Sequence, residues 1–127
     1  MSGIMFDAGL SLFHCSRPII ETRSGPSRYL PKTDSHEEAQ LWDDVLAHAE
    51  AQLGLEPATI RVTILIETVL AAFEMDEILH ALRDRACGLN AGRWDYIFSV
   101  IKKFREHRQF VLPDRPAVRM TAPFLRS

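Results

Sequence analysis

Two acidic residues are the strongest candidates for chemistry in this sequence of 127 residues. Glu67 directly follows an apolar, β-branched run over 60–66, and Asp95 follows a glycine-containing loop over 88–94. The two carboxylates are 28 positions apart, which is about one βα repeat. In a parallel α/β barrel, residues one repeat apart at the C-terminal ends of strands meet on one face. Such a pair suits Mg²⁺, which takes one or two protein carboxylates and fills the rest of its shell with water and substrate.

Each carboxylate taken alone has a plainer interpretation. A carboxylate just beyond a strand is common as a solvated strand end or as a helix cap, and a glycine loop is common as a turn. Only the pairing at the spacing of one repeat favours a metal site. The residue pattern by itself therefore leaves both interpretations open.

The elements that must position these carboxylates alternate between helix and strand. Apolar spacing and turn residues predict a helix over 5–16 that Pro18 ends or kinks, an extended segment over 28–32, and a helix from an N-cap at Asp34 or Ser35 to a C-cap at Gly54. A strand over 60–66, a helix over 71–85, a short strand and loop over 87–92, a helix over 96–104 and a strand over 118–121 follow. This alternation is typical of a parallel α/β sheet. A (β/α)8 barrel needs roughly 200 to 250 residues, so the chain would supply about half of one.

The composition narrows the classes of function. There are 15 Lys and Arg residues against 17 Asp and Glu residues, with a net charge of -2, so we expect no nucleic-acid partner. Charged and polar residues interrupt the longest apolar run, over 60–82, which argues against a membrane span. The N-terminal segment lacks the basic start of a secretory signal, and Cys15 and Cys87 are isolated from each other. These features favour a reducing, cytoplasmic location.

The other chemically capable side chains are predicted to have structural roles. The histidines His36, His48, His80 and His107 lack metal-ligand spacing, and neither cysteine has an evident base. Trp42 is predicted in the core, and Trp94 is expected either to wall a pocket or simply to pack. A basic group near the end of the predicted helix over 96–104 is expected to be a solvated face; its members are Lys102, Lys103, Arg105 and Arg108.

Two longer segments resemble the signature segments of malate synthase. The first is Ile66-Glu67-Thr68 followed by AAFEMDEIL over 71–79, and the second is GLNAGRWDYIF over 88–98. Shorter pieces at 25–26, 29–32, 35–39, 111–115 and 123–125 are similar to the family in the same order. The resemblance runs from about Phe6 to the C-terminus. It implies that residues 1–127 are part of one malate synthase (β/α)8 barrel domain.

The resemblance also implies an activity and a set of site residues. The family condenses acetyl-CoA with glyoxylate, in the glyoxylate cycle, and hydrolyses the thioester to give malate and CoA. By motif match, Glu67 and Asp95 would be the Mg²⁺ ligands. The same two residues with Gly92, Arg93 and Trp94 would bind glyoxylate, and the backbone N–H groups of 92–95 would hold its carboxylate.

Two groups of that mechanism have no counterpart in this sequence. They are the aspartate that acts as general base and the arginine that stabilises developing negative charge, so no catalytic residue is assigned within the chain. We therefore expect the chain alone, which looks like a fragment, to be inactive. The alternative is a non-catalytic remnant that acts, if at all, by association with another chain through exposed barrel edges. In a eukaryote, a peroxisomal or glyoxysomal location would replace the cytoplasmic one.

The sequence also departs from the family at several positions. Val69-Leu70 replaces a Leu-Pro pair, Arg85 stands where histidine is common, Ala91 replaces a cysteine, and Ser27-Arg28 replaces aromatic residues. None of these changes removes a residue of the expected metal site.

Overall fold

The fold is described by a computed structural model over residues 2–22 and 24–125. Its helices are α1 (Gly3–Glu21), α2 (His36–Leu53), α3 (Val69–Phe73), α4 (Met75–Ala81) and α5 (Arg93–Phe104). Its strands are β1 (Ser27–Leu30), β2 (Arg61–Ile66) and β3 (Ala86–Ala91). Short 3-10 turns follow at Arg108–Phe110, Arg115–Ala117 and Pro123–Leu125.

The three strands form one parallel sheet in the order β1-β2-β3. The central strand β2 alternates buried and half-buried residues, with Val62, Ile64 and Ile66 facing the core. A register shift after Val62 places Thr63 opposite Gly88. Because all three strands run the same way, their C-terminal ends meet at one edge of the sheet. This arrangement confirms the predicted α/β class, as three strands of a partial barrel.

The core forms where the helices cover the sheet. Ile64 of β2 packs in one cluster with Leu46 of α2 and Ile78 of α4, all fully buried. Leu12 of α1 joins the same cluster. Trp42, predicted in the core, is half-buried and packs against this cluster.

The boundaries of α2 agree with the sequence prediction. Ser35 is the N-cap, and its hydroxyl accepts a hydrogen bond from the Glu38 N–H at 3.4 Å. Gly54 ends the helix with φ of 65°, a left-handed conformation that glycine adopts without a steric penalty. These local signals fix the helix that leads into β2.

Two helix predictions need correction. The first helix continues through Pro18 to Glu21; Leu12 and Ser16 are buried, and the Arg17 side chain donates to the Leu53 carbonyl at 3.0 Å. These contacts hold the end of α1 against α2. The helix predicted over 71–85 is two short helices, α3 and α4, separated at Glu74, whose φ is -120°.

The strand predicted over 118–121 does not form. The carbonyl of Val118 accepts a hydrogen bond from the Arg93 side chain instead of a strand neighbour. The following residues turn, with the Ala122 N–H donating to the Arg119 carbonyl at 2.9 Å.

One boundary shift matters for the site. The helix predicted over 96–104 begins at Arg93, so Asp95 lies in the first turn of α5 and not in a loop.

In the described ranges, no helix is long and apolar enough to cross a membrane.

Candidate metal and substrate site

Glu67 lies directly after β2 and is only 4% exposed. Its Oε1 accepts a hydrogen bond from the Lys32 N–H at 2.8 Å. On its other side is Gly92, where an added Cβ would lie 2.4 Å from Glu67 Cβ and 2.6 Å from Oε2. The Gly92 N–H donates to the Ile66 carbonyl at 3.0 Å, which keeps this backbone against the end of β2. The Glu67 carboxylate is therefore fixed between the segments that follow β1 and β3.

Asp95 approaches the same position from α5. Its side chain is 46% exposed, and Oδ1 lies 3.6 Å from Lys32 Nζ. Lys32 thus contacts Glu67 through its backbone and Asp95 through its side chain.

Both carboxylates line one cavity of about 260 Å³ at the C-terminal edge of the sheet. The other lining residues are Lys32, Asp34, Thr68, Phe98, Ser99, Lys102 and Lys103. The structure therefore brings Glu67 and Asp95 together, as their spacing predicts. Lys102 and Lys103 are exposed as expected, but they also contribute to the wall of this cavity.

The donors in this cavity fit a hard divalent cation. Glu67 and Asp95 offer carboxylate oxygens, the ligand type that Mg²⁺ prefers. The Lys32 N–H occupies Oε1 of Glu67, and the described residues supply no hydrogen bond to Oε2.

The start of α5 adds an anion-binding feature beside the carboxylates. Gly92 is the N-cap and provides no side-chain cap. The first-turn N–H groups of Arg93, Trp94 and Asp95 have no acceptor within the helix. Such N–H groups carry partial positive charge and favour a carboxylate ligand.

The side chains of Arg93 and Trp94 lie away from the Glu67 cavity. The Arg93 guanidinium donates to the Val118 carbonyl and lies 4.1 Å from the centre of the Trp94 ring. The Arg115 guanidinium lies 4.2 Å from the same ring. Trp94 lines an apolar groove together with Phe98. Of the predicted glyoxylate residues, Glu67 and Asp95 line this cavity, whereas Gly92 and Arg93 line a neighbouring one and Trp94 lines the apolar groove.

Comparison with known proteins identifies the family. The model of the malate synthase TIM barrel domain matches residues 1–127. The chain belongs to this family.

Individual malate synthases support the assignment. The chain is 55% identical to the malate synthase of Streptomyces clavuligerus over 128 residues, which covers 100% of the chain and 24% of that protein. It is 52% identical to malate synthase A of Escherichia coli (strain K12) over 125 residues, 98% of the chain and 24% of that protein. It is 56% identical over 126 residues to the bifunctional glyoxylate cycle protein of Caenorhabditis elegans, 99% of the chain and 13% of that protein. The chain thus spans about a quarter or less of the length of these relatives, and the resemblance to malate synthase is confirmed.

A second group of potential ligands lies apart from the Glu67 cavity, on the family-like segments 35–39 and 71–79. The ring nitrogens of His36 and the carboxylates of Glu37 and Glu74 offer ligand atoms within 4.8 Å of one another. The structural role predicted for His36 stays a prediction, and the structure adds its contacts with these two acids. Glu74 Oε2 lies 2.7 Å from His36 Nδ1 and accepts the His36 N–H at 2.9 Å. No spacing signal could have found this pair, because 38 positions separate the two residues.

The same contacts shift two pKa values. The hydrogen bond to Glu74 is the main cause that raises the pKa of His36, and Glu37 adds to it. The hydrogen bond from the His36 side chain is in turn the main cause that lowers the pKa of Glu74. The pair ties the start of α2 to the junction of α3 and α4.

Arg85, one of the departures from the family pattern, lies at the end of the sheet opposite Glu67. Arg85 is 4% exposed and donates to Asp43 Oδ1 at 2.5 Å and to Glu50 Oε1 at 3.0 Å. Glu50 also accepts the N–H groups of Ala58 and Ile60. Burial lowers the pKa of Arg85, but the bonds to Asp43 and Glu50 outweigh it and raise the pKa overall. Because Arg85 precedes β3 and Ile60 precedes β2, this network is structural and remote from the Glu67 cavity.

Proposed function

We propose that this chain carries the Mg²⁺ and glyoxylate half of a malate synthase active site. The observation that supports the proposal is the shared cavity of Glu67 and Asp95 at the C-terminal edge of the sheet. This is the edge where active sites of (β/α)8 barrels are built. Residues 1–127 would then be one portion of the barrel domain.

In this proposal, Glu67 and Asp95 hold the Mg²⁺ ion. The bound ion would act as a Lewis acid on the aldehyde oxygen of glyoxylate and would balance the negative charge that forms there. The Lys32 N–H holds Glu67 Oε1 in place. Gly92 lets the backbone approach Glu67 closely, because any side chain at this position would overlap the carboxylate.

The carboxylate of glyoxylate would be bound by backbone and not by side chains. The proposed donors are the N–H groups at 93–95, in the first turn of α5, which begins directly after Gly92 beside Glu67. Arg93 and Trp94 contribute through these groups, while their side chains stabilise the start of α5 from outside through Val118 and Arg115.

The chain is proposed to bind substrate but not to catalyse the reaction. The full reaction condenses acetyl-CoA, the co-substrate, with glyoxylate to give malate and CoA. We assign neither its general-base aspartate nor its charge-stabilising arginine to this chain, so we expect the chain alone to be inactive. A cytoplasmic location, or a peroxisomal one in a eukaryote, stays a prediction; a relative of Candida tropicalis at 47% identity is named glyoxysomal.

Calorimetric titration with Mg²⁺ tests the assignment of the ligands. We expect wild-type binding to be lost in Glu67→Gln and in Asp95→Asn, because each change removes one charged oxygen ligand. Asp34→Asn is the matched control: Asp34 lines the same cavity, but it is outside the proposed pair, so this variant should bind Mg²⁺ with near wild-type affinity. Binding that survives Glu67→Gln would remove the basis of the proposal.

A further inference from the structure

Lys32 has an unusual backbone conformation at the end of β1. Its φ is 55°, in the left-handed region that few residues other than glycine adopt. Pro31 precedes it, and Lys32 lies where the chain leaves β1 for α2. Outliers of this kind persist only where surrounding contacts hold them, and they are common at functional sites.

The conformation lets one residue contact both carboxylates of the candidate metal site. The Lys32 N–H donates to Glu67 Oε1 at 2.8 Å, and Nζ lies 3.6 Å from Asp95 Oδ1. The two acids come from different βα units, and Lys32 comes from a third. Lys32 is therefore the link between the ends of all three units at this cavity.

The ion pair is poorly suited to stabilising the fold. The Lys32 side chain is 70% exposed and that of Asp95 is 46% exposed, and exposed pairs add little to stability. Its position against a candidate metal ligand is the more informative feature. The ammonium group places one positive charge where Asp95 would bind a divalent cation.

Other cations near the cavity do not make this contact. Lys102 and Lys103 line it, but within the described residues neither forms an ion pair with Glu67 or Asp95. Asp34 is the remaining acidic residue of the lining. Lys32 alone of these three lysines is placed to compete for Asp95.

We infer that Lys32 is a positioning residue that holds Glu67 and Asp95 together in the metal-free site and competes with the divalent cation for Asp95. The inference rests on the proposed function, since it presumes that Asp95 is a ligand. Binding of the cation separates Nζ from Asp95 by repulsion of like charges, while the backbone bond to Glu67 stays in place. Lys32 thereby lowers the affinity of the site for metal.

Three variants separate the charge of Lys32 from its backbone role. Lys32→Asn removes the ammonium group but keeps the N–H, and asparagine tolerates the left-handed conformation. Lys32→Arg keeps the charge. Lys103→Asn is the matched control, because it removes a positive charge from the same cavity without removing a contact to Asp95.

The measurement is the dissociation constant of Mg²⁺ by calorimetry on the full chain, with circular dichroism to verify folding. We expect Lys32→Asn to bind Mg²⁺ about three- to tenfold more tightly, because the removed charge lies 3.6 Å from a proposed ligand and coulombic repulsion falls with distance. Lys32→Arg and Lys103→Asn should stay within about twofold of the wild type. The gain in Lys32→Asn should shrink at high ionic strength, because salt screens the repulsion. If Lys32→Asn does not fold, Lys32→Gly is the second variant, since glycine also allows this conformation.

The outcomes separate this inference from the proposed function. The inference and the proposed function are both supported if Lys32→Asn binds Mg²⁺ more tightly than the wild type and Glu67→Gln abolishes binding. If the wild type binds Mg²⁺ and Lys32→Asn binds it equally well or more weakly, the role of Lys32 is overturned, but the proposed metal site stands. Binding in Lys32→Asn but not in the wild type supports strong competition by Lys32. Absence of binding in every one of these proteins overturns both.

Discussion

Gly92 sets how closely the backbone after β3 can approach Glu67. A methyl group at this position would lie 2.4 Å from Glu67 Cβ, closer than real contacts allow, so either the backbone or the carboxylate must move. We expect Gly92→Ala to lower the free energy of unfolding by about 1 to 3 kcal/mol, as overpacking does, and to weaken Mg²⁺ binding. Urea unfolding and calorimetry measure the two effects.

Gly88→Ala is the control for this substitution. Gly88 lies in β3, and an added Cβ would be 3.9 Å from Thr63, an ordinary contact distance. This variant should keep wild-type metal affinity. Equal losses of metal affinity in both variants would show that the close approach at Gly92 has no special role.

His36 offers a prediction about pH. Its pKa is raised above 6.5, mainly by the hydrogen bond to Glu74, whose own pKa is lowered. The pair therefore stabilises the folded chain most between the unfolded pKa of Glu74 and that of His36. The effect is lost as the pH rises through the folded pKa of His36 or falls through the folded pKa of Glu74. NMR titration should show that Glu74→Gln returns the pKa of His36 toward 6.5. Asp76 lines the same surface cavity as His36, so Asp76→Asn should leave the pKa of His36 near the wild-type value. An unshifted His36 in the wild type would contradict the observed contact.

At the scale of single residues, the sequence predicts the positions of the candidate site residues but not the contacts that hold them. Glu67 and Asp95 could be paired from strand ends one repeat apart, because parallel strands end at a common edge. The link through Lys32 could not be predicted, since it depends on a left-handed residue that is not glycine. The directions of the Arg93 and Trp94 side chains could not be predicted either, because they depend on contacts with Val118 and Arg115, which are more than 20 positions away in the sequence.

Among the elements, the buried ion network joins α2 to the starts of β2 and β3. Arg85→Met would leave Glu50 as a buried charge without its ion-pair partner, and we expect a loss of about 3 to 5 kcal/mol in unfolding free energy. The double variant Arg85→Met/Glu50→Met removes both charges, so it should recover part of that loss. Thermal and urea unfolding of the two variants measure the difference. A double variant less stable than Arg85→Met would mean that Glu50 acts through its bonds to the Ala58 and Ile60 N–H groups.

The elements also show where local sequence signals are sufficient. The bounds of α2 follow from Ser35 and Gly54, which cap the helix by their own chemistry. The break at Glu74 between α3 and α4 has no comparable local signal, because the Glu74 carboxylate is held by His36 of another helix. The segment over 118–121 has strand composition but pairs with no strand of the described sheet, and a β-strand depends on such pairing more than on composition.

At the scale of the whole molecule, the described residues expose two strand edges and an apolar helix face. The two edge strands β1 and β3 each have one neighbour in the described sheet. Along α1, Ile4, Phe6, Leu10 and Phe13 are 65%, 55%, 49% and 69% exposed. Unpaired strand edges and apolar faces of this kind favour association.

We therefore predict that the isolated chain self-associates or aggregates at micromolar concentration. Light scattering after size-exclusion chromatography measures the mass of the species in solution. A mass above 14.5 kDa that rises with concentration is the expected result. A monodisperse monomer with a cooperative melt would instead mean that these surfaces are stable in water.

The central claim is that Glu67 and Asp95 form a metal-dependent glyoxylate site, and one measurement addresses it directly. Glyoxylate is titrated into the chain by calorimetry, first with saturating Mg²⁺ and then with the ion removed by a chelator. We predict binding of glyoxylate with Mg²⁺ present and a loss of at least about tenfold in affinity without it, because the carboxylate pair needs the ion to accept an anion. Glyoxylate binding that is equal in the two conditions, or absent in both, would contradict the claim.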